Sequence, residues 1–388
     1  MINPFRINIS NKDIDSIYDK VKRFPWDAVP NIDGWDLGTN LSYIKEISKY
    51  WVKDFNWKKY EAKINKFSNF KTNVDGIDIH FIKEKGSGHN PTPLIIMHGW
   101  PGSIIEFLHI IEKLAHPEKF GGKKEDSFDV IVPSLPGFGF SGKPKIPIGP
   151  RKMAHIFNKL MTENLEYKNY LAQGGDWGAT ISSWLGHDHS NNCKGIHINC
   201  LTMRHPDGPV SKEEKEWESK FIKDQIMQDG YRTQQATKPQ TLSYAMIDSP
   251  VGIAAWILEK FYFWSDLKNN NIESVYSKDF LLANIMIYIV TNTFNTASWI
   301  YYGRREEGGR FFSKDFHRIE VPTAAALFPA EMSEWPPKSY VKRIFNLKSW
   351  TRMPRGGHFA ALEQPNLLIN DVRKFVKIIK KNNAKKIK

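Results

Sequence analysis

An aspartate stands among glycines in Gly174-Gly-Asp176-Trp-Gly178, after the short apolar run Tyr170-Leu-Ala and before Ile181, Trp184 and Leu185 at helical spacing. The pattern reads as strand, tight turn, helix. In such an elbow, small neighbours let the backbone strain and hold one side chain out over the end of a sheet. Where serine hydrolases place Ser, this elbow holds a carboxylate. A serine needs a base before it can attack an acyl carbon, whereas a carboxylate is already ionised at neutral pH and can attack an electrophilic sp3 carbon directly. The product would be an alkyl ester of the protein. The alternative for Asp176 is to cap the following helix, a role that Asp often takes.

Other stretches offer what that reaction needs. His98-Gly-Trp100-Pro-Gly follows directly on the buried run 93–97, and a turn there can aim the backbone N–H of Trp100 into the site. With the N–H of Trp177 it would form an oxyanion hole. In Arg355-Gly-Gly-His358-Phe-Ala-Ala a histidine lies on a glycine-rich loop after the last strand, third in the order nucleophile, acid, histidine; this predicts the base. Its orienting acid should follow the preceding strand, where Glu331 stands in Phe328-Pro-Ala-Glu331. Glu363 and Glu334 are rivals, one on the helix beyond His358 and the other further from the strand end. Acid help at a leaving oxygen suits a tyrosine, whose O–H stays neutral at pH 7. Position alone does not select one from the fourteen tyrosines, and Tyr244, Tyr262, Tyr288 and Tyr301 read as packing.

These groups need a scaffold. Asp75-Gly76 joins two alternating runs over 70–82, a hairpin signal. Apolar strands at 93–97, 128–133, 170–172, 195–200, 321–328 and 347–353 alternate with helices at 103–114, 154–165, 177–185 and 366–380, predicting an α/β fold with a parallel sheet covered on both faces. Helical patterns at 10–24, 41–51 and 57–67 form an N-terminal extension. Others at 212–228, 251–263 and 280–300 interrupt the sheet and should lie as a lid over the carboxyl ends of its strands. The predicted division is an extension over 1–69, the core over 70–204 and 309–388, and a cap over 205–308.

The chain has 388 residues, room for a large core, and a net charge of +13. Residues 373–388 carry eight Lys or Arg and no acid, leaving only +5 elsewhere, so the charge reads as a basic helix end and not as a nucleic-acid surface. It is compatible with weak attraction to an anionic membrane surface. The two cysteines, Cys193 and Cys200, lack metal or redox spacing and read as reduced thiols, which with no visible secretory signal predicts a cytoplasmic protein. The longest apolar run, 281–290 with one Asn, is too short to span a bilayer.

Taken together, Gly34-Trp35-Asp, His98-Gly-Trp-Pro-Gly, Pro136-Gly-Phe-Gly-Phe-Ser, Gly174-Gly-Asp-Trp-Gly, Gln235-Ala-Thr-Lys-Pro, Asp248-Ser-Pro-Val-Gly-Ile-Ala-Ala-Trp-Ile-Leu-Glu-Lys-Phe and Arg355-Gly-Gly-His-Phe-Ala-Ala resemble the epoxide hydrolases of the α/β-hydrolase superfamily. The resemblance is to the branch with microsomal and juvenile hormone epoxide hydrolases, and it runs over nearly the whole chain. It implies an α/β-hydrolase fold with a helical cap, and hydrolysis of hydrophobic epoxides to vicinal diols through an aspartyl ester. It implies Asp176 as nucleophile, His358 as base, Glu331 as its partner, Tyr231 and Tyr302 as the acids on the oxirane oxygen, and no metal or organic cofactor. Microsomal members begin with a membrane anchor, which is not seen in this sequence. Rival readings are a haloalkane dehalogenase, which would have no use for paired lid tyrosines, and a silent binding protein, which would not need the full set of groups. The oligomeric state stays open, a homodimer included.

Overall fold

The computed structural model describes residues 1–312 and 316–386, with side chains to residue 381. Its centre is one sheet, nine-stranded among the described residues. Strands β1 (Ile2–Pro4), β2 (Asn69–Val74) and β3 (Ile77–Glu84) run antiparallel at one edge. The parallel strands β4 (Thr92–Met97), β5 (Phe128–Pro133), β6 (Tyr170–Gly174), β7 (Cys193–Ile198), β8 (Ile319–Leu327) and β9 (Phe345–Arg352) follow, in the spatial order β1-β2-β3-β5-β4-β6-β7-β8-β9. Leu94 to Met97 and all of β5 are buried, as continuous apolar runs in a sheet covered on both faces must be. At the predicted hairpin, Asp75 and Gly76 both take positive φ, the backbone that Asp-Gly turns favour.

Three helices precede the sheet: α1 (Asn11–Lys22), α2 (Leu41–Lys53) and α3 (Trp57–Ile64). Ser10 and Asn40 cap the first two, each side chain accepting a backbone N–H three residues on. The extension is not purely helical, because residues 2–4 add β1 to the sheet edge. It docks on later helices through Trp35, stacked at 3.9 Å on Tyr262, and through the Thr39 hydroxyl, which donates to Ala255 O at 2.6 Å. An aromatic pair of this kind contributes about 0.5–1.5 kcal/mol beyond its buried area.

Helices α4 (Leu108–Ala115), α5 (Pro150–Lys159) and α6 (Asp176–Asp188) connect the parallel strands. Between β7 and β8 lies the cap: α7 (Lys212–Gln225), α8 (Gly230–Thr237), α9 (Pro239–Asp248), α10 (Pro250–Phe263), α11 (Lys278–Val290) and α12 (Phe294–Glu306). The helical pattern over 280–300 is two helices, not one. They bend by 84° at Thr291-Asn292-Thr293, where Asn292 takes positive φ and the Thr291 hydroxyl donates to Ile287 O. Helices α8, α9 and α13 (Lys338–Ile344) had no clear period in the sequence; α14 (Ala360–Glu363) and α15 (Pro365–Lys386) close the chain. Among the described residues no single helix is long and apolar enough to cross a membrane; the bent pair α11–α12 qualifies only jointly, and α11 is almost wholly buried.

Candidate active site

Strand β6 ends at Gly174 and α6 begins at Asp176, whose φ of 45° lies in the left-handed region. For a non-glycine residue that conformation costs about 1–3 kcal/mol, so the surrounding packing must hold it. Part of that packing is Gly178: a Cβ there would lie 2.0 Å from Met97 O, so only glycine lets α6 sit this close to β4. Asp176 heads α6 as a first-turn residue, yet its side chain makes no helix cap. The carboxylate turns instead to the His98-Gly-Trp turn, where the Trp100 N–H donates to Oδ1 at 2.8 Å. The Trp177 N–H is the second backbone donor acting on it. Gly99 makes this approach feasible, since a Cβ there would be 2.1 Å from Oδ1.

The turn itself is clamped from both sides. His98 accepts the Leu135 N–H at Nε2 (3.2 Å), so its Nδ1–H donates to Gly99 O (3.0 Å), and burial pushes this imidazole down to about 4; it is a structural group. From the cap, Asn284 of α11 donates to Pro101 O at 2.8 Å, and the Tyr288 hydroxyl of the same helix donates to Gly102 O at 2.7 Å.

His358 lies on the other side of Asp176. Its Nε2 is 3.6 Å from Asp176 Oδ2, and its Nδ1 is 2.6 Å from Glu331 Oε1. Burial alone would push this imidazole down, but the carboxylates of Glu331 and then Asp176 outweigh it and raise it to about 9. Burial likewise pushes the Asp176 carboxyl above its ordinary value, against His358 and the two N–H donors, which pull it down. The rival acids are elsewhere. Glu363 accepts the N–H groups of Asp266, Gly357 and Phe359 at 2.8–2.9 Å and so braces the histidine loop, while Glu334 pairs with Lys220 at the surface.

Tyr231 on α8 and Tyr301 on α12 close the site from the cap. The Tyr231 ring stacks on Trp100 at 5.2 Å; Tyr301 stands edge-on to Trp177 at 4.7 Å and to Tyr231 at 5.8 Å. Burial raises both phenols well above their ordinary range, so both are neutral O–H donors. No hydrogen bond of good geometry satisfies the buried Tyr301 hydroxyl among the described residues, although Tyr231 and the Trp177 indole lie beside it. Such a group costs about 1–3 kcal/mol unless something else meets it. Tyr302 is not brought to the site: it is half-buried, with the Arg305 guanidinium 4.4 Å over its ring. Tyr301, read from the sequence as packing, stands in the expected place of Tyr302, because α12 turns the face with Ala297, Ile300 and Tyr301 inward.

Glu106 is a group that the sequence reading missed. It is 8% exposed and lines, with Asp176 and His358, a cavity of about 20 Å³, room for a single water molecule. Gly102 leaves space for it, since a Cβ there would sit 1.5 Å from Glu106 Oε1. Burial pushes this carboxyl up to about 8, with His358 opposing and Asp176 adding to the rise. The overlooked signal was an acid between Ile104-Ile105 and Phe107, in a run that must be buried.

Residues 2–107 match the family model described as Epoxide hydrolase N terminus, and residues 92–265 match the alpha/beta hydrolase fold. The chain is 36% identical to Epoxide hydrolase 1 of Oryctolagus cuniculus, with 98% of this chain and 90% of that one covered. It is 34% identical to Juvenile hormone epoxide hydrolase 1 of Ctenocephalides felis, with 99% and 88% covered. The crystal structure of juvenile hormone epoxide hydrolase from the silkworm Bombyx mori superposes with a TM-score of 0.87 at 29% identity, covering 99% of this chain and 96% of that one. The structure of Aspergillus niger epoxide hydrolase gives 0.83 at 27%, with 98% and 97% covered. An aspartate at the elbow, a histidine and glutamate beside it, a cap above and relatives of this length and identity lead to one conclusion: the chain belongs to the epoxide hydrolases of the α/β-hydrolase superfamily, in the branch with Epoxide hydrolase 1 and the juvenile hormone enzymes.

Proposed function

We propose that this enzyme converts hydrophobic epoxides to vicinal diols in two steps through an ester on Asp176. In the first, Asp176 attacks an oxirane carbon, the carbon–oxygen bond breaks, and a proton from Tyr231 or Tyr301 goes to the departing oxygen. The phenolate left behind recovers its proton from the His358 imidazolium, directly or through solvent. Esterification favours that transfer: it removes the Asp176 charge, which after Glu331 does most to hold a proton on His358, while Glu331 keeps the ring oriented.

In the second step His358 Nε2 takes a proton from water as the water attacks the ester carbon of Asp176. The N–H groups of Trp100 and Trp177 stabilise the oxyanion; the intermediate then expels the diol oxygen, which receives the proton from His358. Glu106 is neutral below about pH 8 and bounds the one-water cavity, so it is placed to hold the attacking water.

The observation that carries this reading is the pair of buried, neutral tyrosines over a carboxylate held by backbone N–H groups. The test is phenylalanine at both positions. Each single change should slow alkylation about 10- to 100-fold and the double change by 10³ or more, within the range for general acids. Tyr302→Phe should stay within about twofold of the parent, since its ring lies outside the site. Diol formation at the parent rate by the double variant would remove the tyrosines from the mechanism.

Glu106 makes a separate prediction. Glu106→Ala should slow ester breakdown about 10- to 100-fold and leave alkylation nearly unchanged, as expected when only the water is misplaced. Glu106→Gln keeps a neutral hydrogen-bonding group, so it should retain most of the rate while losing the alkaline inflection near pH 8. Stopped-flow tryptophan fluorescence separates the steps, and equal slowing of both by Glu106→Ala would reduce the residue to a packing role.

A further inference from the structure

Tyr231 has a charged neighbour that the two-step scheme does not use. Lys260, in the last turn of α10 and within the long cap motif 248–261, is 3% exposed, and its Nζ lies 4.5 Å from the centroid of the Tyr231 ring and 5.8 Å from that of Trp264. A lysine on a cap helix ordinarily runs its stem along apolar surface and leaves the ammonium in water. This ammonium is turned inward instead. Among the described residues its one ion-pair partner is Glu259, the residue before it on the helix, and that carboxylate is the more exposed of the two. Burial pulls the ammonium below its ordinary value, and Glu259 pulls it back up.

Packing alone does not account for this lysine, since a buried cation carries a desolvation cost that an apolar side chain of similar size would not. The ring beneath it does. An aromatic face attracts a cation lying over it, more strongly where water is excluded. When Tyr231 passes its proton to the departing oxirane oxygen, the negative charge left behind spreads from the phenol oxygen into that ring, so the attraction grows toward the transition state. Only such growth speeds a reaction; an attraction equal before and after would not. Neighbouring elements hold the two groups in register. Trp100 stacks on the Tyr231 ring at 5.2 Å, and α10 is tied to the N-terminal extension through Ala255 and Tyr262 and to the histidine loop through Trp264 O, which accepts the His358 N–H at 2.8 Å.

We propose that Lys260 is a positioning residue for the first step, its ammonium over the Tyr231 ring stabilising the phenolate that forms as the epoxide opens; this rests on Tyr231 giving up the proton. The test follows the two steps separately by stopped-flow tryptophan fluorescence with styrene oxide. Lys260→Met should slow alkylation about tenfold and leave ester breakdown within about twofold of the parent. The change strands no charge, because Glu259 reaches solvent. Lys260→Arg keeps a cation at the ring and should retain most of the alkylation rate. In a Tyr231→Phe background, where the ring gains no charge, adding Lys260→Met should slow alkylation by no more than about twofold, the non-additivity of two groups that act as one. Unchanged alkylation in Lys260→Met, equal slowing of both steps, a Lys260→Arg enzyme as slow as Lys260→Met, or the full tenfold loss in the Tyr231→Phe background would each overturn the inference. Alkylation at the parent rate by Tyr231→Phe alone would instead overturn the reading of Tyr231 as proton donor.

Discussion

His358→Gln should consume about one equivalent of epoxide per enzyme and then stop. The ring it replaces has one nitrogen 2.6 Å from Glu331 and the other 3.6 Å from Asp176, the arrangement of a base oriented from behind. Glutamine cannot take the proton of an attacking water, so ester breakdown should fall by about 10⁴-fold. The first step should survive, because a carboxylate is a nucleophile without help. In a serine enzyme, by contrast, losing the histidine disables both steps. Rapid quenching would show a stoichiometric burst of epoxide loss with almost no diol. A proportional slowing of both phases, with no burst, would count against Asp176 as the attacking group.

Asp176→Ala should lose more, with diol formation down by about 10⁴–10⁶-fold and no burst, the scale seen when a nucleophile is removed. Folding should not be the cause. The change leaves the Trp100 N–H without its acceptor, a cost of about 1–3 kcal/mol, but it also removes a carboxyl that burial already disfavours. It also takes away one of the carboxylates that raise His358. The imidazole of a folded Asp176→Ala protein should therefore titrate below its present value of about 9, with Glu331 still holding it up. Proton NMR of the ring checks both fold and direction; an unmoved His358 would mean that the two side chains are not coupled as their geometry implies.

Much of this site could be read from the chain because it is set by local backbone. The elbow around Asp176, the turn at His98-Gly-Trp and the glycine-rich loop at His358 announce themselves through glycines at fixed offsets, and the coordinates show why: side chains at 99 and 178 would collide with Asp176 and with Met97. Groups positioned by helix rotation were harder. Tyr301 and Tyr302 are about 100° apart around α12. Arginines at 304 and 305 make both faces look solvent-exposed, and only packing shows Arg304 buried with Ile300 and Tyr301. Glu106 was hidden for the opposite reason, as a single acid inside an apolar run that otherwise reads as plain core.

The claim beneath all of this is a covalent bond between Asp176 and the substrate carbon. Intact-mass spectrometry of His358→Gln after mixing with styrene oxide, followed by peptide mapping, tests it most directly. The expected result is a gain of one substrate mass per chain, located in the peptide that contains Asp176 and absent when that residue is also replaced. An unmodified protein, or an adduct on any other side chain, would contradict it.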